Sequence, residues 1–403
     1  MTKNITKYLA NYAEQETALL MDFPSAQCFT HSVVIPAYKE SNDFIQRLVQ
    51  SELAQQNVLF IIVINQPDSD NDTRLQQQLF QHCNIAGELV WQHKSLSLMI
   101  IKQSNSALLI VDRFTSPIPE KLGVGLARKL GTDLALALVN KKQIQSSWLC
   151  STDADVHLPK HYFNALSNFK NSVAACYNFY HYSDDKNIHQ ANFLYEQALR
   201  YYVAGLTYAK SPYDFFTIGS ILAFNTNAYA SVRGFPKRSA GEDFYLLNKL
   251  AKLGKVSFIK DCVIKIDART SDRVPFGTGP AVTEILALQA AGQEYCYYHP
   301  EVFEHLKQVL NDFKSLWAYR QQLSLWYNSQ QAIICDALKS IGLDNFVKKQ
   351  NEATEQQFTK QLIVWFDAFK TLKFIHALRE YGLADIPLKD AIALASFSVM
   401  TEQ

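Results

Sequence analysis

Seven consecutive apolar residues, Val58-Leu-Phe-Ile-Ile-Val-Ile64, set the tightest limit on how this chain folds. The run is rich in β-branched side chains, has no polar alternation and reads as a strand buried on both faces. Upstream, His31-Ser-Val-Val-Ile35 reads as a second strand, which Pro36 is expected to stop. Ser41-Asn-Asp43 is placed to cap a helix carrying Phe44, Leu48 and Val49. Downstream, the polar turn Asn65-Gln-Pro-Asp-Ser-Asp70 leads to a helix beginning at Thr73. Strand, helix, strand, helix is the opening of an α/β protein with a doubly wound, parallel sheet. Leu96–Ile101 and Ala107–Val111 extend it, joined by the turn at 102–106.

A later strand, Trp148 to Cys150, runs into Ser151-Thr-Asp-Ala-Asp155. Ligands of α/β sheets collect beyond the carboxyl ends of strands, so an acidic pair at that point is well placed for chemistry. Asp153 and Asp155, separated by the small Ala154, can turn their oxygens to one point and suit Mg²⁺ or Mn²⁺. Asp-x-Asp is also common in plain turns, and alone it decides little. Just before this strand, Gly123-Val-Gly125 opens a helix through Arg128 and Leu138. Its backbone N–H groups are expected to be free for an anion, with Arg128 adding a phosphate fork unless it is an ordinary exposed helix arginine.

The 403 residues are 48% hydrophobic and 19% charged, enough to bury a large core. A formal charge of +1 gives no basic surface for nucleic acid. The 7 cysteines are scattered, odd in number and without a C-x-x-C pair, as in a reducing compartment. Neither a signal peptide nor an apolar run of membrane-spanning length is visible. A cytoplasmic location is expected, with peripheral association at the inner membrane face left open.

Five motifs occur in order. Pro36-Ala-Tyr-Lys-Glu40, Gly125-Leu-Ala-Arg-Lys-Leu-Gly131 and Asp153-Ala-Asp155 are followed by Thr217-Ile-Gly-Ser-Ile-Leu-Ala-Phe224. Gly234-Phe-Pro, then Ala240-Gly-Glu-Asp-Phe-Tyr-Leu-Leu247, completes the set. Together they resemble the first-strand, Ala-Arg-Asn-x-Gly, DxD, Gly-Gly-Ser and Glu-Asp segments of family 2 glycosyltransferases of the soluble bacterial type. The resemblance implies a GT-A fold: a mixed, mostly parallel sheet flanked by helices that binds a nucleotide-diphosphate sugar, with a helical C-terminal region. It places the donor against Pro36, Ala37, Tyr38, Glu40, Asn65, Arg128, Asp153 and Ala154. Mn²⁺ or Mg²⁺ is assigned to Asp153 and Asp155, and the acceptor side to Gly219 and Ser220. It makes Asp243 the base that takes the proton of an unknown hydroxyl acceptor (small molecule, glycan or lipid head group), with Glu242 orienting acceptor or base. Arg269 and Arg273 correspond to the basic loop that clamps phosphates. The chain departs from the family at Asn65-Gln-Pro-Asp68, where relatives carry Asp-Asp-Gly-Ser, and at Lys39 and Lys129, where they carry Asn.

The chemistry runs parallel to the resemblance. A departing diphosphate needs charge stabilisation, which a divalent ion supplies as a Lewis acid. A base for the attacking hydroxyl is worth ~10²–10⁴-fold. Acidic residues also favour the first turn of a helix without any catalytic duty. Glycine within a strand, as expected at Gly219, marks either a close ligand or tight packing. Transfer without a covalent intermediate predicts inversion. A retaining transferase, a nucleotidyltransferase and a non-catalytic sugar-nucleotide-binding scaffold are the alternatives.

Residues 4–21 read as one amphipathic helix, and the chain as three segments: 1–30 helical, 31–280 catalytic and 281–403 helical. In the last, Val302, Phe303, Leu306, Leu310, Phe313 and Trp317 form one apolar stripe.

Overall fold

The computed structural model describes residues 3–269 and 277–399. The chain forms two compact units, Met1–Ser183 with Thr217–Phe276, and Asp184–Phe216 with Gly277–Gln403. In chain order the first unit begins with α1 (Lys3–Asn11), β1 (His31–Ala37), α2 (Asp43–Gln50), β2 (Val58–Pro67) and α3 (Arg74–Ala86). Then come β3 (Gly87–His93), β4 (Leu96–Ile101), β5 (Ala107–Ile118), α4 (Gly123–Asn140), β6 (Trp148–Ser151), β7 (Val156–His157) and β8 (Ala174–Tyr182). After α5 (Lys186–Tyr208), which belongs to the second unit, the first closes with β9 (Leu222–Asn225), α6 (Thr226–Ser231), α7 (Glu242–Leu250) and β10 (Val256–Asp267).

Ten of these strands make one mixed sheet in the order β3-β4-β5-β2-β1-β6-β9-β8-β10-β7. Its centre is parallel, β5 to β2 to β1 to β6, while β3–β4, β4–β5, β6–β9, β9–β8 and β10–β7 pair antiparallel. The apolar run in β2 is buried along its whole length, each large side chain contributing about 1.5–3 kcal/mol of burial. Helix α4 lies across β1 and β2, where Gly131 leaves room for Val34 and Val63. Pro36 does not end β1, which runs on to Ala37. Pairing of β1 with β6 stops at Val34–Ser151, so on that side the missing proline N–H interrupts no ladder bond.

The N-terminal stretch is not one helix. Helix α1 ends at Asn11, and a 3₁₀ segment covers Gln15–Asp22. The break brings the Glu14 N–H to Asp133 on α4 at 2.9 Å. Asp133 is fully buried and also accepts from Tyr8 (2.6 Å), Tyr229 (3.1 Å) and Lys129 (2.8 Å). A buried carboxylate needs this many donors, and meeting them fixes the chain entry onto α4.

The second unit is helical, and its composition differs from the segments expected at 31–280 and 281–403 because α5 joins it. Helix α5 contributes Ala198, Tyr201 and Leu206 to a core shared with Val302, Phe303 and Leu306. The unit continues with α8 (Thr278–Ala290), β11 (Cys296–Tyr297), α9 (Glu301–Leu316), α10 (Leu323–Tyr327), α11 (Ala332–Ser340) and α12 (Leu343–Lys349). It ends with α13 (Glu355–Trp365), α14 (Ala368–Glu380), β12 (Ile386–Pro387), which pairs with β11, and α15 (Leu388–Leu394). Gly205 on α5 packs against the ring of Phe303, with no space for a Cβ. Among the described residues no helix is long and apolar enough to cross a membrane.

Candidate active site

Strand β6 lies near the middle of the sheet between β1 and β9, and delivers Asp153, Ala154 and Asp155 just past its carboxyl end. That turn is held from several sides. The Thr152 N–H donates to Val34 O at 3.0 Å, and its hydroxyl to Ser220 O at 2.7 Å. Arg47 of α2 donates to Ala154 O at 2.6 Å, and the Asp267 N–H to Asp155 O at 2.8 Å. The two acidic side chains face different cations. Asp153 Oδ1 accepts from Arg128 Nη2 at 2.7 Å, whereas Asp155 Oδ2 lies 3.2 Å from Arg269 Nη2. Arg269 also donates to Glu40 Oε1 at 2.7 Å. Among the described residues no group of three or more His, Cys, Asp or Glu is arranged to hold a metal ion.

Arg128 is not an exposed helix arginine. It is 3% exposed, and its guanidinium joins the two acidic segments. Nε donates to Glu242 Oε1 at 2.8 Å, Nη1 to Ser151 Oγ at 3.0 Å and to Thr152 O at 3.2 Å, and Nη2 to Asp153. Gly219 lies in a 3₁₀ turn ahead of β9, not inside a strand. A Cβ there would collide with the Arg128 guanidinium, so the close neighbour that glycine accommodates is this side chain.

The glycine-rich entry to α4 also differs from expectation. Gly123 and Gly125 belong to the first turn of the helix itself. The Gly125 N–H donates to Arg238 O at 2.9 Å, and the backbone of Pro236 and Arg238 fills the space of a Cβ. That N–H is therefore committed to the protein. The contact seats the loop that leads into Glu242 and Asp243.

Both acidic residues occupy the first turn of α7, after Gly241 in the left-handed region at φ 71°. Glu242 is 4% exposed and bound to Arg128. Asp243 is half-buried and accepts from the Phe244 N–H at 2.7 Å. Burial, then the neighbouring Glu242 charge, pushes the Asp243 carboxyl up to about 7, against the pull of Arg128.

At the end of β1, Pro36 and Ala37 are buried, and Tyr38 donates to Asp70 at 2.6 Å. Lys39, at φ 51°, meets the same carboxylate at 2.8 Å. The Lys39 ammonium, followed by the Tyr38 hydroxyl, holds Asp70 well below the usual carboxylate range. Asn65 is buried near the end of β2, and its Oδ1 has no hydrogen-bond partner among the described residues. Arg273 lies outside the described residues.

Sequence reasoning missed Arg47, which reads as a surface residue of a short helix, and the His157–Asp267 pair at 2.8 Å. It also missed the cluster around Asp133, although Lys129 and Asp133 at i and i+4 were a usable signal.

No family model matches the chain, and no curated protein matches it. Among solved structures, a mannosyltransferase from Pyrobaculum calidifontis in complex with GDP-Man and Mn²⁺ is 13% identical. The match covers 92% of this chain and 95% of that one, with a TM-score of 0.37. A mycobacterial protein is 14% identical over 70% of this chain and 82% of its own, with a TM-score of 0.34. Likeness this low leaves the site to be read from its own geometry.

Proposed function

We propose that the first unit is a glycosyltransferase that moves a sugar from a nucleotide-diphosphate donor to a hydroxyl acceptor with inversion. The observation that carries the reading is the Arg128 bridge, which joins Asp153 and Glu242 beside the carboxyl end of β6. Asp243 is the base. A carboxyl held near 7 is matched to taking a proton at neutral pH, in keeping with the Brønsted behaviour of such groups. Glu242 holds Arg128 in place, and Arg128 in turn holds Asp153.

Asp153 and Asp155 carry the oxygen chemistry a hard divalent ion takes, but each carboxylate now meets an arginine, so both would have to turn from Arg128 and Arg269 to hold one. When bound there, Mn²⁺ or Mg²⁺ supplies charge stabilisation for the leaving diphosphate. Arg269, already beside Asp155 and Glu40, adds a second positive charge to that side. The buried, unpartnered Oδ1 of Asn65 supports a donor subsite at the end of β2.

The test is thermal melting of the protein with UDP, GDP, ADP, CDP and dTDP, with and without Mn²⁺. A ligand at ~100 times its dissociation constant adds about 2.7 kcal/mol to stability. A metal-dependent shift with one nucleotide, lost in Asp155→Ala and kept in Asp243→Asn, supports the reading. No shift in wild type under any condition overturns the reading, and with it the sugar-nucleotide-binding scaffold. Release of pyrophosphate in place of a nucleoside diphosphate on turnover would make the protein a nucleotidyltransferase.

A further inference from the structure

Away from the acidic site, α1 and the end of α6 flank an open surface pocket of about 230 Å³ lined by the exposed Asn4, Lys7, Ser231 and Arg233 and by Tyr8 and Tyr12, with Ala230 behind them. Asn4, Lys7 and Tyr8 are neighbours on one face of α1 by their spacing. The lining contains two cations and no carboxylate. Among the described residues neither Lys7 nor Arg233 has an acidic partner, whereas nearby Lys237 and Lys129 pair with Glu14 and Asp133.

Arg233 has φ 67°, in the left-handed region that residues with a side chain rarely adopt. From there its guanidinium lies 4.7 Å over the Tyr12 ring. A stacked guanidinium keeps its edge N–H groups available for an oxyanion. Asn4 Nδ2, now 3.2 Å from Ser231 Oγ, is a further donor at the rim. The local positive field reaches Lys249, whose ammonium is pulled below its ordinary value first by burial and then by Arg233. A volume below the ~300–1,000 Å³ of drug-sized sites suits a small metabolite rather than a whole nucleotide sugar.

We infer that this pocket binds a small phosphorylated anion, with Arg233 and Lys7 on the phosphate and Tyr12 against the body of the ligand. Inorganic phosphate and a phosphate monoester share the recognised group and differ only in contact with Tyr12.

Isothermal titration of the full chain with inorganic phosphate, and separately with glycerol phosphate, at constant ionic strength tests the inference without reference to glycosyl transfer. Saturable binding of at least one probe is expected, weakened ten-fold or more in Arg233→Gln and in Lys7→Gln. If an ester is the natural ligand, Tyr12→Leu weakens glycerol phosphate more than inorganic phosphate, which loses only the ring on which Arg233 stacks. If phosphate itself is the ligand, the two bind alike in both proteins. Absence of saturable heat, equal competition by chloride, or binding unchanged in both charge variants overturns the site. The last outcome would mean that phosphate binds elsewhere on the chain.

Discussion

The guanidinium of Arg128 occupies the space in which any side chain at Gly219 would begin. Gly219→Ala is therefore expected to displace Arg128 from Asp153, at about 1–3 kcal/mol for overpacking a tight site. Melting with and without a nucleoside diphosphate and Mn²⁺ reads both consequences. The apo melting temperature should fall, and the ligand-induced rise should shrink. A full ligand-induced rise in the variant would mean that Asp153 does not depend on Arg128.

Removing the guanidinium altogether leaves Glu242 buried without a counter-charge. Arg128→Met is expected to cost about 3–5 kcal/mol, as for one partner deleted from a buried ion pair. Arg128→Met combined with Glu242→Gln should recover part of that loss. Denaturant unfolding of the two single variants and the double variant measures the coupling, and strictly additive losses would speak against the pairing.

Asp243 gives a pH dependence with a definite sign. Its folded value of about 7 lies above the ordinary 3.8, so between those values the folded chain holds a proton that the unfolded chain has released. The stability due to that proton is complete below the ordinary value and is lost as pH rises through about 7. Asp243→Asn should flatten the melting temperature between pH 4 and 8 relative to wild type. Turnover needs the ionised form and should rise through about pH 7 in wild type. A wild-type profile already flat from pH 5 would remove Asp243 as the base.

The cluster around Asp133 predicts how firmly the N-terminus is held. Tyr8→Phe removes a donor to a buried carboxylate and should cost about 1–3 kcal/mol. Asp133→Ala should cost more, because it leaves the buried Lys129 ammonium with only the more distant Glu14 carboxylate at 3.9 Å. Chemical denaturation checks the order. A smaller loss in Asp133→Ala than in Tyr8→Phe would show that Lys129 finds another partner.

The sheet was legible where side chains repeat a simple rule. The β2 run, the first half of β5 and the strand before Asp153 were visible as uninterrupted apolar stretches with polar ends, and β4 as one broken only by Ser97. Pairing across the sheet was less so, since the antiparallel insertion of β9 between β6 and β8 depends on contacts far apart in sequence. Arg128 illustrates the limit at the site. Its helix position suggested a phosphate ligand or an exposed residue, and only the approach of Gly219, Glu242 and Asp153 turns it into a buried bridge. The glycines at 123 and 125 were likewise visible, but the loop at 236–239 that fills their space was not. The assignment of α5 depended on Phe303, about a hundred residues later, whose ring packs against Gly205.

That last arrangement governs the order in which the protein matures on the ribosome. Helix α5 is synthesised before β9, α7 and β10, yet its apolar partners on α9 come only after those strands and helices are complete. During translation Ala198, Tyr201 and Leu206 lack their α9 partners while the strands of the first unit are still being made, a period in which exposed apolar surface invites chaperones or aggregation. A gene shortened after residue 276 would make that waiting state permanent, yielding a chain with its sheet complete and an orphaned greasy helix in the middle.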